Sequence, residues 1–202
     1  MSEATLRESP LARVRRAARS MDEVSAAGLI VREEKFLGHL NLRGKSADPR
    51  FAGAISGVIG DGLPIEANTL TELNATTMYW LGPDEWLIVT PDESRKRIEA
   101  DLRRALAGQH FALTDVSGGQ TALHMHGSHV RDVLAKGCPI DFHPRVFGIG
   151  QCAQSHLGKA PVLIGQIEEQ PYFELIVRRS FAEYVWTWLE AAAEEYGMAV
   201  GA

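Results

Sequence analysis

Apolar residues along this chain fall into short runs broken by glycine, proline and aspartate, with four longer stretches in which they recur at helical spacing. AAGLIV (26–31) and FLGHLNL (36–42), rich in branched and aromatic side chains, predict two strands. DPRFAGAISGVIG (48–60) predicts an amphipathic helix. Asp48 suits its N-cap, Pro49 its first position, and Phe51, Ile55, Val58 and Ile59 its inner face. Next, TMYW and WLIVT flank Gly82-Pro83-Asp84-Glu85, a strand–turn–strand signal in which Trp80 and Trp86 lie on opposite arms near the turn. A charged helix over 92–107 carries Ile98, Leu102, Ala105 and Leu106 on one face.

The second half repeats the order. FALTDV (111–116) and TALHMHG, starting at Thr121, flank Ser117-Gly118-Gly119 and read as a hairpin. A helix over 128–136 stops at Gly137. QCAQSHL, PVLIGQI and YFELIVR predict three successive strands. Ser180 and Glu183 fit a capping box, opening a final helix to about Tyr196 with Phe181, Tyr184, Val185, Trp188 and Leu189 as its stripe. Two strands and a helix, repeated and then extended, predict an α+β protein of two related halves with mainly antiparallel sheets. The expected organisation is a basic arm over residues 1–20 and one α+β domain over 21–202, with subdomains at about 21–108 and 109–202. Strand–helix crossovers do not alternate as a parallel nucleotide-binding sheet requires.

Charge sharpens the view of the arm. Five arginines against Glu3 and Glu8 give residues 1–20 a net +3, so the remainder carries −8 of the overall −5. Such an arm is solvated, lies over the body, or meets an acidic partner. No apolar stretch follows the arginines to make a secretion signal, and none approaches a membrane span. The acidic body argues against nucleic acid. The two cysteines, Cys138 and Cys152, fit a reducing cytoplasm. At 202 residues and 45% hydrophobic, the chain can bury a substantial core.

Candidate chemistry is thin. GHLNLRGKS (38–46) has five residues between its glycines, where a phosphate loop needs four, and reads as a strand. His124 and His126 share a strand face, but His129 lies beyond Gly127 and nothing nearby completes a metal set. TDVSGGQT (114–121) lacks the spacing of a nucleophile elbow. Cys138, with His143 nearby in sequence, lacks an evident activating cation.

Several separated stretches nevertheless resemble one family, in order: SPLARV (9–14), LNLRG ending at Gly44, LPIEANT (63–69), WLGPDEWLIV (80–89), TDVSGGQTALHMHG (114–127), the long run 133–162, and RRSFAEYVWTWL (178–189). Together they resemble the γ subunit of heterotetrameric sarcosine oxidase. SGG at 117–119 departs from the pattern, where bulkier residues are expected after the serine. The resemblance implies a fold similar to the folate-binding domain of the glycine-cleavage aminomethyltransferase. It also implies a place in an αβγδ complex that demethylates sarcosine to glycine, passes the one-carbon unit to tetrahydrofolate or releases formaldehyde, and forms hydrogen peroxide.

FAD, FMN, NAD, tetrahydrofolate and zinc are expected on the other subunits, with no catalytic, cofactor or metal residue in this chain. The expected partners are the α subunit most directly, then β and δ. Trp, Tyr and Arg are enriched among binding anchors, which makes Arg13, Arg15, Arg16, Trp80, Trp86 and Arg179 the candidate contacts. For the tryptophan hairpin, core and interface remain open. The alternative is a stand-alone folate-binding protein, with Asp115 or Glu174 as the acid that holds the pterin.

Overall fold

The computed structural model describes residues 7–14, 27–60 and 62–201. Eleven strands among them form two sheets. One runs β11 (Met198–Val200), β1 (Leu29–Glu34), β7 (Gln120–His126), β10 (Tyr172–Arg178), β9 (Ala160–Glu168), β8 (Cys152–Leu157). The other runs β3 (Leu70–Leu73), β4 (Thr76–Gly82), β5 (Glu85–Thr90), β2 (Gly38–Arg43), β6 (Ala112–Asp115). All pairings are antiparallel except β1 with β11.

Alternation along the strands explains how the layers stack. In β5, Trp86 and Ile88 enter a cluster with helices α1 (Pro49–Ile59) and α2 (Asp92–Ala105), while Leu87 and Val89 face the other sheet. In β10, Phe173, Leu175 and Val177 meet helices α3 (Val130–Ala135) and α4 (Ala182–Ala192), while Ile176 faces β5's side. The result is four layers: helices, sheet, sheet, helices. Both faces of the central strands are buried, so LIV of β10 and WLIV of β5 read as continuous apolar runs rather than the alternation of a half-solvated sheet. Gly165 of β9 marks how closely the sheets approach. A Cβ there would fall 2.6 Å from Leu70 and 2.7 Å from Tyr79.

The helix at 48–60 forms as its spacing predicts. The Asp48 carboxylate accepts the Arg50 amide at 2.9 Å, and Gly60 ends the helix in the left-handed region. Three expectations need correction. First, 111–116 and 121–127 do not form a hairpin: β6 pairs with β2 in one sheet and β7 with β1 and β10 in the other. Ser117–Gly119 is a single 3-10 turn that steps between sheets, held by the Asp115 carboxylate on the Ser117 amide and by the His39 amide on Ser117 Oγ. Local turn chemistry fixed where the chain bends; the sheets decided what each arm pairs with.

Second, a division near residue 108 does not separate the sheets, because β1 joins the later strands and β6 the earlier ones. Third, Ser180 caps nothing. A 3-10 turn over Arg179–Phe181 precedes α4, which ends at Ala192, and Trp186 rather than Trp188 is its fully buried tryptophan. Of the readings open for the arm, lying over the body fits residues 7–14. Leu11 is completely buried in the core with Leu29 and Val31, so residues 7–14 lie on the body. The residues 15–26 fall outside the described ones, Arg15 and Arg16 with them.

Candidate functional site

Three places bear on function: the docked arm, the tryptophan hairpin and the polar centre between the sheets. On the arm, Ser9 Oγ lies 2.6 Å from both carboxylate oxygens of Glu33 and accepts the Leu11 amide at 3.0 Å. Arg7 pairs with Asp92 and stands 4.8 Å over the Phe36 ring. Arg179 donates to the Glu8 carbonyl at 2.6 Å, so this candidate contact is spent holding the arm. Arg13 is largely in solvent, 3.6 Å from Glu8.

In the hairpin, Trp80 and Trp86 are cross-strand partners, as the turn spacing predicts. Their fates differ. Trp86 is fully buried, its ring 5.9 Å from Phe51 and its Nε1 donating to the Pro64 carbonyl at 2.7 Å. Trp86 therefore has no surface to offer another protein, which removes it from the candidate contacts. Truncating a core aromatic costs about 3–5 kcal/mol, so its place is in the stability of this chain. Trp80 is half-buried. The turn itself docks on LNLRG: Gly44 donates to the Asp84 carbonyl at 3.0 Å, and Asn41 to Glu85 at 2.8 Å. Gly44 admits no side chain, since a Cβ would sit 2.2 Å from the Phe51 ring.

Between the sheets, Tyr79 of β4 donates to Glu174 Oε1 of β10 at 2.6 Å. His124 Nε2 meets Glu174 Oε2 at 2.7 Å, and the Tyr172 hydroxyl lies 2.8 Å from His124 Nδ1. Glu34 Oε1 lies 3.3 Å from the same Nδ1, so His124 sits among two carboxylates and a phenol. Tyr172 also stacks on His126, ring centroids 5.5 Å apart. Burial, then the Glu174 charge, pushes the Tyr79 hydroxyl well above the usual phenol range, and it stays a donor. Burial likewise pushes the Cys152 thiol up to about 12, far from thiolate chemistry. Cys138 is a buried free thiol, 3.6 Å from Ser155 Oγ.

The histidines weighed as ligands are thus engaged elsewhere: His124 on Glu174, and His129 on Asp132 at 2.8 Å and against Tyr196. Among the described residues no group of three or more His, Cys, Asp or Glu could hold a metal ion. Gly38–Arg43 is a strand, so no phosphate loop forms there. A cleft of about 840 Å3 has Asn41, Glu85, Asp115, Gln154 and Arg178 at its wall, and neither Tyr79, His124 nor Glu174 lines it. The acids considered for a pterin are both committed. Glu174 spends each oxygen on a neighbour, and Asp115 is paired with Arg95 and Ser117. Burial opposes ionisation of Asp115, but the Ser117 and Arg95 bonds outweigh it and hold its pKa low. Sequence reasoning missed Tyr79, because a tyrosine inside an apolar run carries no sign of its partner 95 residues away.

The fold defines the class first. The chain overlays on aminomethyltransferase T of the glycine cleavage system from Bartonella henselae with a TM-score of 0.67 at 12% identity, over 89% of this chain and 50% of that one, which establishes a shared fold. The model of the sarcosine oxidase, gamma subunit family matches residues 43–195, and the chain belongs to that family. Similar relatives include sarcosine oxidase subunit gamma of Arthrobacter sp., 33% identical over 95% of this chain and 92% of the relative. The same subunit of Corynebacterium sp. strain P-1 is 32% identical, over 89% and 87%. A solved heterotetrameric sarcosine oxidase from Corynebacterium sp. U-96 contains a chain that overlays with a TM-score of 0.81 at 29% identity, covering 97% of this chain and 99% of that one. Among the described residues no helix is long and apolar enough to cross a membrane.

Proposed function

We propose that this chain is a non-catalytic assembly subunit of a heterotetrameric sarcosine oxidase, packed most directly on the α subunit, with β and δ completing the complex. Sarcosine is demethylated to glycine there, with tetrahydrofolate or formaldehyde as the one-carbon outlet and hydrogen peroxide as product. FAD, FMN, NAD, tetrahydrofolate and zinc belong to the other subunits, and the complex works in the cytoplasm. The observation that carries this reading is the chain-length correspondence with one chain of the Corynebacterium heterotetramer, 97% of this chain against 99% of that one. The commitment of Glu174, His124 and Tyr79 to one another supports a structural centre rather than a reacting one. We assign Arg13, Arg15, Arg16 and the half-buried Trp80 to the contact surface, and Arg179 to holding the arm that presents it.

Co-expression of the four subunits with a tag on this chain tests the reading. The other three are expected to co-purify, and the eluate to form peroxide from sarcosine. Omitting this chain should leave the remaining subunits poorly assembled. Full assembly and unchanged activity without it would refute the role.

A further inference from the structure

The segment 141–151 has no regular secondary structure, yet its backbone is tied down at several points. Arg131 of α3 reaches in from beneath, donating to the carbonyls of Phe142 and of Phe147 (3.1 Å) and to Gln166 Oε1 (2.7 Å). Its guanidinium lies 5.1 Å over the Phe173 ring. Phe142 and Phe147 turn inward and pack on Phe173 at 5.8 and 6.2 Å. Within the loop, His143 donates its amide to Asp141 (2.9 Å), the Phe147 amide reaches the His143 carbonyl (2.9 Å), and the Gly148 amide reaches Gln151 Oε1 (2.7 Å).

A loop held this firmly sorts its apolar residues. Its two aromatics are buried, while Val146 is 54% and Ile149 60% exposed. The neighbouring segment is joined to it by the Thr69–Gln151 bridge and by the bonds Leu70 N to Gly150 O and Cys152 N to Asn68 O, each 2.8 Å. That segment carries Ile65, the most exposed large apolar residue among those described, at 70%. A mobile loop could fold such side chains away, whereas a rigid one holds them in water at a standing cost that only a partner removes. Charge narrows the partner. Asp141 is turned onto the His143 amide, but the guanidinium of Arg145, next to Val146, makes no hydrogen bond or ion pair among the described residues.

We propose that the 141–151 loop is a preformed docking element. Val146 and Ile149, with Ile65 on the segment bonded to the loop, insert into an apolar depression on the α subunit, and a carboxylate at its rim receives Arg145. This rests on the heterotetramer reading above and adds a further contact face to the arm and Trp80. Anchors on a rigid support lose little conformational freedom on binding, the usual basis of a binding hot spot.

The test uses the four co-expressed subunits with the tag on this chain. Ile149→Asp and Val146→Asp are each expected to lower recovery of the other subunits by about tenfold or more. Arg145→Glu should lower it severalfold, and Arg145→Lys largely restore it. Ala100→Asp, on the exposed side of α2, should change nothing. Circular dichroism melts of the full-length variants should match the unaltered chain, and Ile149→Ser serves as a milder replacement should the aspartate variants melt early. Undiminished recovery with the Asp variants overturns the docking element. So does a self-association of this chain that Ile149→Asp abolishes while recovery stays intact. If the unaltered chain recovers no other subunit, the heterotetramer reading itself falls, and the two failures are told apart.

Discussion

His39 illustrates how one residue can tie stability to pH. It is 1% exposed, and among the described residues neither ring nitrogen makes a hydrogen bond of ordinary geometry. Burial lowers its pKa below the ordinary 6.5, against the opposing pull of Glu174, the Leu37 backbone and Asp115. Once the chain unfolds, the imidazole takes up a proton at its ordinary pKa; folded, it resists until the pH is lower. The unfolded state therefore binds more protons as pH falls through 6.5, and stability falls with it. Urea midpoints measured from about pH 7.5 to 5.5 are expected to drop, and the drop to be smaller in His39→Leu. An identical slope in the variant would acquit His39. The Leu variant is also expected to equal or exceed the unaltered chain at neutral pH, since it removes a buried donor with no partner.

At the scale of elements, the arm changes most between sequence and structure. Its arginines stand out in the sequence, but Leu11 fixes it: fully buried in the same core cluster as Leu29, Val31 and the inner face of α4. Leu11→Ala is expected to destabilise the full-length chain by about 2–5 kcal/mol and to open residues 7–14 to proteolysis. A loss under about 0.5 kcal/mol would mean the segment only rests on the surface. Deleting residues 1–20 would therefore damage folding as well as any contact. The elements with strong local signals, α1 with its Asp48 cap and the β4–β5 hairpin with Pro83, were readable because their causes lie within a few residues. The short strands β3 and β11 were not, since each exists only through a partner: Tyr79's strand for the first and β1 for the second.

For the whole molecule, the question is what keeps two sheets face to face. Apolar contacts of Leu87, Val89, Leu163 and Ile176 supply much of it, with the Tyr79–Glu174 bond crossing between sheets at their centre. Tyr79→Phe keeps the ring and strands one oxygen of a buried carboxylate. The expected cost is about 1–3 kcal/mol, read as a lower urea midpoint. An unchanged midpoint would show that the carboxylate finds another donor, and that the crossing bond is dispensable.

The sequence alone determined the type of most elements, the Asp48 cap, the Pro83 turn, the α+β class and, through its ordered motifs, the family. Each of these rests on spacing within a short window or on whole stretches read in order. Only the tertiary structure decided that the Ser117–Gly119 turn links two sheets, that Trp86 is enclosed while Trp80 is half-covered, and that Glu174, His124 and Tyr79 satisfy one another. Strand pairing, burial and the partner of a buried charge depend on residues brought together from far along the chain. No local pattern encodes that geometry.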